Sequence, residues 1–291
     1  MSLIIVSSIE DPAGTNIKNS LLESGSWDKN PLSFMGNPVY QHQRYQDIYM
    51  VTINDRTIKH ENLDLEIESS LHLHIDQMIY VSRHRSKTGE PTLTVHPIGN
   101  YNTADYGGGP KTLVQSSPRL MVKLLHNIKK HIADTDLPHQ VCYEVTHHGP
   151  YIHAPVFFTE VGSTEEEWKK KKPADIIAES LLELFELYRY EKDAPSDIPV
   201  LVGIGGGHYA PRFTEIIYKY KSAFGHMIPS YHVDTGIIDR DMIKQALTMT
   251  PNAIGVYLHK KALKKSQITL FKQWLDEMNV RIISSKDLNP L

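Results

Sequence analysis

Two short stretches of this sequence concentrate residue types that hold metals, move protons or cradle anions. The first is GIGGGHYAPR at 203–212, which follows the apolar run 198–202 and precedes FTEIIYKYK at 213–221. A strand that empties into glycines and then a helix is the frame of a phosphate cradle: the backbone is open to close approach and the first helical turn presents free N–H groups. The dinucleotide fingerprint GxGxxG fails here, because Gly203 and Gly205 put His208 where the third glycine belongs. The Gly-Lys-Ser/Thr ending of a nucleoside-triphosphate loop is also absent. Pro211 marks a helix start, and Arg212 adds a fixed positive charge. The turn suits an anion or a developing oxyanion, held by the N–H groups of Gly206 and Gly207 together with Arg212. The plainer alternative is a tight strand-to-helix turn that His208 caps.

The second stretch is THHGPYIHAP at 146–155. Read as the end of a strand over 140–149, it alternates: Val141, Tyr143, Val145 and His147 share one face, Cys142, Glu144, Thr146 and His148 the other. Glu144 and His148 would then lie about 13 Å apart, at roughly 3.3 Å per residue. That spacing makes Glu144 a general base or a partner of a ligand rather than a co-ligand, unless the chain bends near Gly149-Pro150. SRHRS at 82–86 ends another strand, with His84 flanked by Arg83, Arg85 and Lys87. His84, His147, His148 and His208 come from separate strand ends and form a candidate ligand pool; three protein ligands and an open position suit a catalytic zinc. His42, His60, His126, His131 and His259 read as ordinary hydrogen-bonded histidines.

These residues need an α/β scaffold to meet. LIIVSS (3–8) reads as a buried strand, and 11–24 as a helix opened by Asp11 with Pro12 in its first turn. Strands are expected at 47–53, 77–84, 91–99, 140–149, 154–162, 199–203, 253–258 and 280–284. Helices are expected at 118–132, 174–189, 211–222, 239–248 and 266–279, with Ser163 and Glu166 as a capping box for one more. The aperiodic segment 100–117, with Gly107, Gly108 and Gly109 at its centre, is expected to be a mobile lid or a plain surface excursion. The order predicts one α/β domain over residues 1–291, with a mixed, largely parallel sheet flanked by helices. The best alternative boundary is APSDIP at 194–199.

Bulk composition narrows the classes. A formal net charge of −3 gives no global drive toward nucleic acid, so an RNA surface must come from local clusters. Two are available: Arg83, Arg85, Lys87, Lys111, Arg119, Lys129 and Lys130, and the lysines at 260, 261, 264 and 265. Cys142 is the single cysteine, which rules out an internal disulfide and leaves metal binding to the 16 histidines and the carboxylates. No apolar run approaches the roughly 20 residues of a membrane span, and Leu3–Val6 is too short for a signal-peptide core; a cytoplasmic monomer is expected.

SRHRS (82–86), PTLTVHPIGN (91–100), EVTHHGP (144–150), GSTEEEW (162–168) and GIGGGHYAPRFT (203–214) together resemble the archaeal and plant type of D-aminoacyl-tRNA deacylase, over nearly the whole chain. The resemblance implies hydrolysis of the ester between a D-amino acid and tRNA, zinc as cofactor, and a fold similar to peptidyl-tRNA hydrolases and nucleoside phosphorylases. To that chemistry we assign His84, His147, His148 and His208 as the ligand pool and Glu144 as candidate general base. His208 and Arg212 share the catalytic work, and Arg83, Arg85, Gly206 and Gly207 hold substrate. His153 falls outside the pattern. The competing readings are another metallohydrolase, an amidase or esterase, and a non-catalytic RNA-binding protein.

Overall fold

Asp11 opens the first helix as its pattern predicts: its Oδ1 accepts from Gly14 N–H at 2.9 Å, and Pro12 occupies the first turn of Pro12–Glu23. Gly14 lets that helix press onto the sheet, since a Cβ there would lie 2.4 Å from the Val81 carbonyl oxygen. The computed structural model describes residues 2–193 and 197–291. The candidate boundary at 194–199 thus begins outside the described residues.

Two sheets are present. The strands of the first are β1 (Ser2–Ser8), β2 (Trp27–Phe34), β3 (Asn37–His42), β4 (Ile48–Ile53), β5 (Ile75–Arg83), β6 (Thr92–Pro97), β7 (Gln140–Tyr143) and β8 (Val156–Gly162). Their order is β2-β3-β4-β1-β5-β8-β6-β7. β4, β1, β5 and β8 run parallel; β6 lies antiparallel to β8 and parallel to β7. The second sheet is wholly parallel, in the order β10-β9-β11-β12, from β9 (Val200–Ile204), β10 (Ala223–Ile228), β11 (Ala253–Leu258) and β12 (Ile282–Ile283). The expected mixed, mostly parallel α/β architecture is therefore present, divided between two sheets. β1 is buried along its whole length, as a parallel strand covered on both faces must be. One apolar cluster takes in Leu3 and Ile79 from the first sheet and Leu201, Phe224 and Tyr257 from the second, so a shared core joins them.

Several boundaries differ from expectation for local reasons. The hairpin β2–β3 has no alternation to betray it: WDKNPLSF is exposed along most of its length, and the Met35-Gly36 turn works through positive φ at both residues. The helix expected from Ser163 starts one residue later, over Glu165–Lys169, because Thr164 caps it by accepting from Glu167 N–H, while Ser163 Oγ donates to the Glu90 carbonyl. The loop 100–117 is stitched down along its length. Gly108 N–H donates to Glu61 Oε1 at 2.7 Å, Asn100 Nδ2 to the Gly107 carbonyl at 2.8 Å, and Gly149 N–H to the Tyr106 carbonyl at 3.3 Å. Those bonds argue against the lid expected from its glycines.

Candidate active site

The largest correction to the expected elements builds the site. The strand expected over 140–149 stops at Tyr143. From Glu144 the backbone leaves the first sheet and bridges to the second. Glu144 N–H still donates to the Val95 carbonyl, but Val145 N–H donates to His208 and Thr146 N–H to Met227. Positive φ at His148 (26°) and Gly149 (100°) completes the turn. The strand alternation therefore does not apply. Glu144 and His147, assigned to opposite faces, meet with Oε2 and Nε2 3.4 Å apart.

Glu144 is completely buried, and three imidazoles converge on its Oε2: His208 Nε2 at 2.7 Å, His84 Nδ1 at 3.1 Å and His147 Nε2 at 3.4 Å. His84 stands at the end of β5 and His208 in the loop after β9, so the two sheets supply opposite walls. The His84 and His208 rings stack at 5.5 Å, and Tyr209 Oη lies 3.1 Å from His84 Nε2.

Two residues that the sequence reading passed over complete the arrangement. Glu160 on β8 and His96 on β6 are both buried; Glu160 Oε2 lies 3.5 Å from His84 Nδ1 and 3.7 Å from His96 Nε2. The His96 ring packs 4.1 Å from that of His147, and His147 4.1 Å from that of His148. The one available signal was parity: Thr92, Thr94 and His96 alternate along β6 in the marker stretch PTLTVHPIGN.

The charges follow from burial set against pairing. Burial pushes the Glu144 carboxyl up, but the His84 charge and the contact with His208 hold it well below the usual range. Burial would lower His84, yet Glu144 and Glu160 push it up to about 11. His147 is held well below its ordinary value by burial and by His148 and His96, and His148 is brought to about 4 by burial and His96. The cluster thus contains imidazoles kept neutral, the form that ligates a metal.

Two groups have donor atoms within 4.8 Å of one another: His96, His147 and His148, and His84, Glu144 and His208. Glu144 Oε1, His148 Nδ1, His96 Nε2 and Glu160 Oε2 are buried without an aligned hydrogen bond. Orphaned donors of imidazole and carboxylate type fit zinc. A cavity of about 600 Å³ opens onto His84, His147, His148, Glu160 and His208, with Arg56, Arg83, Arg85 and Tyr106 on its walls. Arg83 and Arg85 both pack on Trp168, their guanidinium carbons 5.2 and 4.9 Å from the ring centre.

Two residues assigned to the site lie elsewhere. Arg212 does not face the histidines: Nη1 reaches Glu215 at 2.7 Å and Nη2 the Tyr257 hydroxyl at 2.8 Å, on the wall of a separate cavity. Gly206 N–H is not free for an oxyanion, because it donates to Ser230 Oγ at 2.8 Å. Gly207 is exposed, with open space where a Cβ would be. Of the scattered basic residues, Lys111 pairs with Asp239 and Lys130 with Glu183. His153 bonds Asn62, away from the cluster.

The sequence model of the D-aminoacyl-tRNA deacylase family matches residues 71–283, a span that holds every histidine and carboxylate of the cluster. The chain belongs to the D-aminoacyl-tRNA deacylase family. Proteins named D-aminoacyl-tRNA deacylase from Pyrococcus abyssi and Pyrococcus horikoshii are 35% and 36% identical to it, each alignment covering 96% of this chain and 98% of the relative. That from Methanocorpusculum labreanum is 35% identical over 100% of this chain and 60% of its own. A crystal structure of a conserved protein of unknown function superimposes with a TM-score of 0.87 at 29% identity, covering 100% of this chain and 99% of that one. The deacylase family membership thus extends to both sheets. Among the described residues, no helix is long and apolar enough to cross a membrane.

Proposed function

We infer that this chain hydrolyses the ester joining a D-amino acid to tRNA, releasing the free amino acid and the tRNA, with the histidine cavity as reaction chamber and zinc as cofactor. One observation carries the reading: in a deacylase-family chain, His84, His147, His148, Glu160 and His208 line a cavity of about 600 Å³, with Glu144 and His96 directly behind them. That volume is within the range of small-molecule sites, about 300–1,000 Å³, and suits the aminoacylated end of a nucleic acid. Bound zinc supplies Lewis-acid polarisation of the ester carbonyl. His96, His147 and His148, with neutral rings at the last two, would hold the ion; His84, held charged against Glu144, and Glu144 itself stay outside it.

The protein's own groups supply the rest. Glu144 stays ionised, so it can take a proton from the attacking water and return it to the leaving ribose oxygen. His208 has about a third of its side chain exposed, and its Nε2 contacts Glu144 Oε2 at 2.7 Å, which holds the ring at the chamber wall. Arg83 and Arg85, braced on Trp168, hold substrate phosphates at the chamber mouth. An aminoacyl ester is already activated, so modest assistance suffices. Oxyanion stabilisation would fall to the histidines lining the chamber and to a cation held by them, since Arg212 and the Gly206 amide are engaged elsewhere. We assign the enzyme to the cytoplasm and propose that it acts as a monomer.

His208→Asn tests this reading. A histidine that only capped the glycine turn would tolerate Asn at a cost of about 1 kcal/mol in stability. The proposed role predicts a folded protein whose turnover of D-aminoacyl-tRNA falls by roughly 10²-fold or more. A chelator should likewise abolish turnover of the unmodified enzyme, and added zinc should restore it. Near-normal hydrolysis by His208→Asn would remove the cavity from the chemistry.

A further inference from the structure

The second sheet has a crevice of its own. The connection after β9 leads to β10 on one side, and the connection after β11 leads to β12 on the other. The carboxyl ends of β9 and β11 therefore flank a topological switch point, where open parallel sheets take ligands. The loops there are locked together. Ser230 Oγ accepts from Gly206 N–H and donates to the Ala262 carbonyl, each at 2.8 Å, and His259 N–H donates to the Ile204 carbonyl at 2.8 Å.

A cavity of about 450 Å³ lies beside these loops, walled by Arg212, Tyr257, His259, Lys260 and Lys261. Lys260 and Lys261 are exposed, and among the described residues neither has a carboxylate partner. Glu215 is the acidic group on this wall, and it is already shared between Arg212 and Lys219 at 2.7 Å each. His259 Nδ1 is buried with no hydrogen-bond partner, 3.3 Å from where a Cβ of residue 206 would sit. Arg212, Lys260 and Lys261 thus gather positive charge on the wall of one crevice. It lies along the same chain segment as the reaction chamber: Tyr209, Ala210 and Pro211 separate His208 in the turn from Arg212 in the first turn of the helix Pro211–Lys219.

We propose that this crevice binds a phosphodiester of the tRNA acceptor strand while the aminoacylated end lies against His208, with Lys260 and Lys261 as the main electrostatic contacts. The proposal rests on the ester-hydrolysis reading for the identity of the strand. It gives Arg212 a positioning role on the far side of the glycine turn from the reacting ester, and it gives the lysines of 260–261 a partner.

The test is the double variant Lys260→Ala/Lys261→Ala, assayed with D-aminoacyl-tRNA and with the matching D-aminoacyl-adenosine, which has the ester but no phosphodiester. KM for the tRNA substrate should rise about tenfold with kcat nearly constant. The slope of log affinity against log salt should become shallower by about 0.7, one single-strand phosphate contact. D-aminoacyl-adenosine should be hydrolysed as before. An unchanged KM and slope would overturn the proposal, as would equal losses on both substrates. Lost binding of inorganic phosphate with unaltered tRNA affinity would make the crevice a free-anion site and overturn it too. If the unmodified enzyme hydrolyses neither substrate, the ester-hydrolysis reading fails instead, and salt titration of uncharged tRNA binding then decides on the crevice.

Discussion

At the scale of single residues, His96 and Glu160 carry the most information, because neither stood out in the sequence. A lone histidine and a lone glutamate inside apolar strands look like ordinary core polar groups. Their meaning arises from register: β6 lies antiparallel to β8, which sets Thr94 opposite Glu160 and His96 opposite Phe158. That pairing joins segments more than 60 residues apart and has no local sequence signal. His84, His147, His148 and His208 were legible because they sit in dense polar runs at strand ends. The proposed cation site predicts that His96→Gln reduces bound zinc and lowers turnover by at least about 10–100-fold. Elemental analysis beside a deacylation assay checks it, and full zinc content with full turnover would return His96 to the core.

The decisive element is the segment after β7. Period-two reading failed there because a strand continues only while a neighbour accepts its backbone, and beyond Glu144 those bonds pass to the loop after β9 and to β10. Gly149 makes the departure possible. Its φ is 100°, and a Cβ there would lie 2.9 Å from Ile98 Cβ. Gly149→Ala should therefore cost on the order of 1–3 kcal/mol, read as a lower denaturant midpoint. It should also displace His147 and His148, so activity should fall further than stability alone explains. Gly203 has a different use: φ is not its constraint, and a Cβ would strike the Phe213 ring at 2.7 Å, so it sets how closely β9 and the helix Pro211–Lys219 pack. The glycine run was legible as a functional turn, but the directions of Arg212 and the Gly206 amide were not. Those depend on Tyr257 and Ser230, which come from later strands and loops.

At the scale of the whole molecule, two sheets meet at the site, and His226 is one of the rivets. Its Nδ1 lies 3.0 Å from Thr146 Oγ1 and its Nε2 2.9 Å from the Val114 carbonyl, all buried. Burial brings its pKa down to about 4 from the ordinary 6.5. A histidine depressed in the folded state gives stability that is present above pH 6.5 and lost as pH falls toward 4, because the unfolded chain takes up the proton first. The loss should be on the order of 3 kcal/mol. Denaturation midpoints measured between pH 7 and pH 4 should fall less steeply in His226→Gln than in the unmodified protein; parallel curves would show that other groups govern the acid response. The order β5-β8-β6 has a different consequence, for synthesis. β8 fills the gap between strands made long before it, so until residue 162 has left the ribosome, β5 and β6 each expose a bare edge to any sticky neighbour. The strand that brings Glu160 to its histidines is also the one that ends the nascent chain's exposure to aggregation.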